Sequence, residues 1–166
     1  MALSTVPEMI RCISNKDEEK LAYLTHYYYG SWTSKVSDLK WFDLLTNMGI
    51  DISLLNMDIP GNVSIDLASK KPKVEFQVNK ELDLEEQRFL CAYFLGRYYF
   101  EVQPKLLRGW KESLNLEVLY NPMKHYLQAE KKLLRNEMKK SVYDHWLAEE
   151  YAGALIVPKS VLLKLT

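Results

Sequence analysis

The sequence has few of the residues that build disulfide-stapled, metal-bound or membrane-embedded proteins. Its two cysteines, Cys12 and Cys91, are too few for a disulfide framework and form no Cys-x-x-Cys zinc motif. No apolar run reaches the roughly 18 residues expected of a membrane-spanning helix, and the N-terminal segment lacks the continuous apolar stretch of a signal peptide. We therefore expect a protein of the reducing cytoplasm, without a membrane partner.

The chain also lacks an excess of either charge, since it has 22 lysines and arginines and 22 aspartates and glutamates. A balanced chain lacks the basic excess of a general nucleic-acid binder, so direct binding to nucleic acid is not expected. Histidine is scarce: His26, His125 and His145 are the only three, and no two stand three or four residues apart. No helical pair of histidines is available for zinc, and we expect no cofactor.

What is present is the composition of one globular domain over residues 1–166, with 48% apolar and 27% charged residues. Helical spacing predicts N-terminal helices over about 8–48. Three short runs of alternating apolar residues then predict strands joined by turns over about 50–79. Helical spacing returns in a body over about 83–166, which includes a helix over about 106–120. We predict an α+β fold with a small three-stranded antiparallel sheet packed on this helical body.

The first helix of the body contains the sequence EEQRFLCAYFLGRYYF, Glu85 to Phe100, and follows Asp83, a residue type that caps helix N-termini. Gly96 lies inside this helix, where glycine costs about 1 kcal/mol relative to alanine. Close packing by another element would account for the glycine. We expect such an element beside it, for example a strand.

This stretch and the later HWLAEEYAGALIVPKSVL resemble the two motif helices of the ImmA/IrrE-type metallopeptidases, RxRFTxAHELGH-like and ExEANxFAAxLLMP-like. The strand pieces upstream follow in the same order as in that family, and the resemblance covers about Lys40 to Leu163. It implies a zincin-like fold. The segment between the two motif helices is longer here than is usual for the family.

The positions that correspond to the HExxH residues of the family are Tyr93, Phe94 and Arg97, and His145 lies near the place of the third ligand. HExxH chemistry needs two histidines on zinc and a glutamate that activates water. A tyrosine is a poor ligand at neutral pH, a phenylalanine is no base, and an arginine repels the cation. The resemblance therefore implies a pseudoenzyme without a zinc site, although His145, His125, Asp144 or Glu149 could form a rescue site.

Arg97 has two interpretations. Its guanidinium could replace the zinc and pair with an acid of the second motif helix, which offers Asp144, Glu149 and Glu150. Alternatively, Arg97 simply points to solvent.

Members of the family are common in phages and mobile elements, where they act on helix-turn-helix repressors. The resemblance implies a non-catalytic regulator of transcription that binds such a repressor as an antirepressor. Such a regulator would bind through the cleft that the peptidases use for their substrate. The aromatic residues that could contact the partner there are Tyr93, Phe94, Tyr98 and Tyr99. A basic helix over 124–140 is a second surface, and its regularly spaced cations are Lys131, Arg135 and Lys139.

Two other functions stay open. The chain could be a zinc peptidase with atypical ligands. It could also be a nucleic-acid-binding or structural accessory protein that uses the basic helix.

Overall fold

The computed structural model describes residues 6–29, 41–68, 73–128 and 140–156, and its fold is α+β, as predicted. Its helices are α1 (Pro7–Asn15), α2 (Glu18–Tyr29), α3 (Trp41–Asn47), α4 (Leu84–Arg97), α5 (Gln103–Leu107), α6 (Pro122–Gln128) and α7 (Lys140–Ile156). Its strands are β1 (Ile50–Leu55), β2 (Gly61–Asp66), β3 (Lys73–Asn79) and β4 (Leu114–Val118). A π-helical turn, Tyr98–Val102, joins α4 to α5. None of the helices in these ranges is long and apolar enough to cross a bilayer.

The sheet has four strands of mixed direction, so the prediction of a three-stranded antiparallel sheet is wrong. Its strand order is β1-β3-β2-β4, and β3 runs parallel to β1 but antiparallel to β2. The parallel pair arises because β3 inserts between β1 and β2. The short β1–β2 connection therefore crosses the end of β3, where the Asn79 side-chain amide donates to the carbonyl oxygens of Met57 (3.1 Å) and Ile59 (3.3 Å).

The fourth strand comes from the segment that helical spacing assigned to a helix over 106–120. Helix α5 ends at Leu107, and Gly109 then adopts a φ of 90°, which a helix does not allow. The residues that follow alternate at Leu114, Leu116 and Val118 and pair antiparallel with β2. The period-two pattern of these residues gives the strand, and its pairing with β2 completes the sheet.

One face of the sheet is covered by α4. Along β3, buried residues alternate with half-buried ones, and Val74, Phe76 and Val78 point inward. The ring of Phe76 packs edge-on against that of Phe94 from α4, with 5.4 Å between the ring centroids. Helix α4 therefore packs on the sheet with one side and on α7 with the opposite side.

Helix α7 lies at the centre of the helical body, because both α2 and α4 pack on it. The hydroxyl groups of Thr25 and Tyr151 hydrogen-bond at 3.0 Å between α2 and α7. Between α4 and α7, a Cβ built on Gly96 would lie 3.0 Å from both the Cα and the carbonyl oxygen of Ala148. The neighbour that accounts for Gly96 is therefore a helix, whereas the sequence suggested a strand.

Replacing Gly96 with alanine tests this close approach. The new methyl group would press on α7 backbone, which has little room to move, so overpacking should outweigh the better helix propensity of alanine. We expect Gly96→Ala to lower the free energy of unfolding by about 1–2 kcal/mol in urea titrations.

Gly153→Ala is the matched control, because the added methyl group there meets the hydroxyl end of the Tyr126 side chain and not a backbone atom. Its loss should be smaller. A Gly96→Ala protein as stable as the wild type would show that the two helices are farther apart.

Candidate functional site

Helix α4 carries Tyr93, Phe94 and Arg97, the residues that the family resemblance aligns with the peptidase motif. Its start is fixed by a capping box, in which the Glu86 amide donates to the Asp83 carboxylate (2.8 Å) and the Asp83 amide donates to the Glu86 carboxylate (3.3 Å). Every residue from Phe89 to Arg97 is buried. Because Tyr93 and Arg97 stand four residues apart, they share one face of the helix.

The hydroxyl group of Tyr93 reaches α7 and the end of β4 at once. It hydrogen-bonds with His145 Nδ1 (2.5 Å) and with the hydroxyl of Tyr120 (2.9 Å). The third side is closed by a 3.1 Å contact between the Tyr120 hydroxyl and His145 Nδ1. We call these three residues the Tyr–His triangle. It joins three parts of the chain that are far apart in sequence.

Burial sets the protonation of the Tyr–His triangle. It raises the pKa of both Tyr93 and Tyr120, so both phenols stay protonated at neutral pH and have a proton to donate. It also lowers the pKa of His145, and the nearby Arg97 guanidinium lowers that pKa further. Because the His145 imidazole is neutral, it can accept a hydrogen bond from a phenol and needs no counter-ion.

Arg97 is only 8% exposed, so it does not point to solvent. Its guanidinium forms a two-pronged ion pair with the Glu101 carboxylate, through Nε and through Nη2, the latter at 3.0 Å. The prediction of a pair with Asp144, Glu149 or Glu150 on α7 is therefore wrong. The π-helical turn places Glu101 about one helical turn after Arg97, on the same side of the helix. Because Glu101 neutralises the guanidinium locally, Arg97 needs no acidic partner on α7.

A second polar pair lies between α6 and α7. His125 Nδ1 and Glu149 Oε1 are 2.6 Å apart, and the imidazole is 61% exposed while the carboxylate side chain is 5% exposed. Burial raises the pKa of Glu149, and His125 opposes that rise. The Tyr120 ring lies 5.1 Å from the His125 ring, measured between centroids. This pair thus adjoins the Tyr–His triangle.

The structure places the proposed partner-binding aromatic residues in the core. Tyr93, Phe94, Tyr98 and Tyr99 are all at most 1% exposed, so none of them offers surface to a partner in this structure. Of the basic helix over 124–140, the cations Lys131, Arg135 and Lys139 lie outside the described residues.

The residues named for a rescue metal site come together only in part. His145 Nδ1 is held by two phenols, and Glu149 is paired with His125. Within residues 6–29, 41–68, 73–128 and 140–156, no three histidine, cysteine, aspartate or glutamate side chains converge as metal ligands would.

Sequence reasoning missed Tyr120 and Glu101. Glu101 stands four residues after Arg97, a spacing that pairs opposite charges on a helix, so a local signal for it existed. Tyr120 had no such signal, because its position depends on β4 pairing with β2.

The lowered pKa of His145 predicts a pH dependence of stability. Below about pH 6.5, the ordinary pKa of histidine, the unfolded chain takes up a proton at this residue more readily than the folded chain, so stability falls on acidification. In His145→Gln, the free energy of unfolding should fall less than in the wild type between about pH 7.5 and about pH 5.5. His26, whose pKa burial also lowers, is present in both proteins and cancels in the comparison. Parallel urea-denaturation profiles for the two proteins would contradict this expectation.

Comparisons with known proteins give no neighbour for this site. No protein-family model matches the chain, and no curated protein or solved structure gives a significant match to it. The chemistry of the site is therefore inferred from its own residues and contacts.

Proposed function

We propose that this chain is a non-catalytic regulatory protein that binds another protein through a zincin-like scaffold of the ImmA/IrrE type. The observation that carries the proposal is the Tyr–His triangle. It fills the space between α4 and α7 with hydrogen-bonded side chains, and two of its members, Tyr93 and His145, stand at or near the positions where the family resemblance would put zinc ligands.

The chemistry of the three motif positions argues against hydrolysis. The Tyr93 phenol is buried and protonated, so it is a poor ligand for a cation. Phe94 packs on the sheet and has no group that could activate water. Arg97 brings a fixed positive charge, already paired with Glu101, to the place of the second ligand. A water molecule for hydrolysis would have to displace several of these contacts.

The partner we propose is a helix-turn-helix repressor of a phage or mobile element, in the bacterial cytoplasm. This part rests on the family resemblance, whose members act on such repressors. Without a hydrolytic centre, the chain would change the repressor by binding alone, as an antirepressor. Since the aromatic residues of α4 are buried, the contact would use residues on the surface.

The specific observation in favour of a second function is the grouping of His125, His145 and Glu149 around Tyr120. Imidazole and carboxylate are donor types of a zinc site, although among the described residues these three side chains do not converge on one point as ligands would. A zinc peptidase with atypical ligands is therefore the alternative that the experiment must distinguish.

The test uses the purified chain and the helix-turn-helix repressors encoded in the same genome. We expect one of them to release its operator DNA in a mobility-shift assay when the chain is added, while its intact mass stays unchanged. Release should be insensitive to a zinc chelator, because no metal takes part.

Three results would contradict the proposal. A repressor fragment that appears only in the absence of chelator would identify a peptidase. A salt-dependent shift of the DNA by the chain alone would identify a nucleic-acid binder. If every repressor stays bound to its operator when the chain is added, helix-turn-helix repressors are not the partner.

A further inference from the structure

The end of α5 and the turn that follows it expose a group of basic and apolar side chains. Leu107 and Trp110 are 55% and 42% exposed, and the cations Lys105, Arg108 and Lys111 surround them in sequence. We call these five residues the basic–aromatic turn. Glu112 is the only acid from residue 103 to residue 113, although the whole chain has no net charge. The turn is therefore a local concentration of positive charge next to exposed apolar surface.

Hydrogen bonds within the turn hold its backbone in place. The amide of Arg108 donates to Pro104 O (3.2 Å), and that of Trp110 donates to Lys105 O (3.0 Å). Gly109 takes the positive φ that lets the chain reverse. The turn thus presents its side chains from a fixed frame.

The indole of Trp110 is also held in place. Its Nε1 donates to the carbonyl oxygen of Glu112 at 2.9 Å, and Lys105 Nζ lies 5.4 Å from the ring centroid on one face. A cation over one face and a hydrogen bond at the edge fix the ring orientation. An exposed aromatic ring that is already ordered loses little entropy when a partner covers it.

The cations of the turn have no ion-pair partner in the part of the chain that the structure describes. Among the described residues, no carboxylate lies within ion-pair distance of Lys105, Arg108 or Lys111, and the ion pairs found there are Arg97–Glu101 and His125–Glu149. Unpaired cations on a neutral protein attract an acidic partner and orient its approach.

We propose that the basic–aromatic turn is a docking surface for an acidic protein segment that also carries an apolar side chain. This inference rests on the proposed function and names the surface and the chemistry of its partner. Tryptophan and arginine are the residues most enriched at the energetic centres of protein interfaces. Leu107 and the open side of Trp110 would receive the apolar side chain, and the three cations would receive the carboxylates.

The composition of the turn favours a protein over a nucleic acid. Three cations neutralise about three phosphates, which gives weak binding at physiological salt. Bases stack on aromatic rings, but one face of Trp110 is already occupied by Lys105, and the aliphatic Leu107 offers no stacking surface. An acidic peptide with an apolar residue uses all five side chains.

The experiment selects peptides from a displayed random library on the full-length chain and measures their affinities by fluorescence anisotropy. We expect the selected peptides to be enriched in aspartate and glutamate together with leucine or aromatic residues. Their affinity should fall at least about tenfold with Trp110→Ala and with Arg108→Glu. It should also weaken between about 0.1 M and about 1 M salt, since the Debye length shortens from about 10 Å to about 3 Å.

Two matched controls separate the turn from general surface effects. Tyr27→Ala removes an exposed aromatic residue (68% exposed) from α2, and Lys80→Glu reverses an exposed cation after β3. Neither should change the affinity by more than about twofold. Circular dichroism of each variant verifies the fold, and Arg108→Glu provides an independent readout if Trp110→Ala does not fold.

Several results would overturn the inference. They are a library that yields no binder, selected peptides without acidic residues, and selected peptides that bind Trp110→Ala as tightly as the wild type. Tighter binding of a single-stranded oligonucleotide or of phosphatidylserine vesicles through Trp110 would assign the turn to another class of partner.

The same variants separate this inference from the proposed function. Operator release that persists with Trp110→Ala would defeat the docking surface but leave the antirepressor proposal intact. If acidic peptides bind the turn but no repressor releases its operator DNA, the docking surface stands and the antirepressor proposal fails.

Discussion

The close packing of α4 on α7 is the contact on which the rest of the structure depends. Gly96 has no side chain, so its helix can approach until the backbone at Ala148 fills the space of a Cβ. Three residues earlier on each helix, the same approach brings Tyr93 to His145. A wider separation would break the hydrogen bond between Tyr93 and His145, and losing a partly buried hydrogen bond costs about 1 kcal/mol. Tight packing and the Tyr–His triangle therefore support each other.

The interior of the site and the surface of the protein differ in their chemistry. The aromatic residues of α4 and of the π-helical turn are used up in packing, on the sheet through Phe94 and on α7 through Tyr99. The hydroxyl of Tyr93 on α4 hydrogen-bonds with His145 on α7 and with Tyr120. On the outside, the basic–aromatic turn combines exposed apolar surface with cations that form no ion pair among the described residues.

Local patterns in the sequence predicted much of the fold. Asp83 marked the start of α4, alternating residues marked β1 to β3, and Gly96 indicated a close neighbour. The strand order was not predictable in this way, because alternation specifies a strand but not which strands pair. The helix assigned to 106–120 failed because Gly109 ends the helical segment and the alternating residues from Leu114 to Val118 form a strand on β2. In the site, both interpretations of Arg97, a pair with an acid of α7 or exposure to solvent, overlooked the nearer partner Glu101. The position of Tyr120 depended on the unpredicted strand.

The Tyr–His triangle is tested most directly by a double-mutant cycle with Tyr93→Phe and Tyr120→Phe, measured by urea denaturation. Each substitution removes one hydroxyl and keeps the ring, and exposed Tyr23→Phe is the control. We expect Tyr93→Phe to lower the free energy of unfolding by about 1–2 kcal/mol, with a coupling energy of at least about 0.5 kcal/mol between the two sites. Losses no larger than that of Tyr23→Phe, with no coupling, would contradict the existence of the triangle.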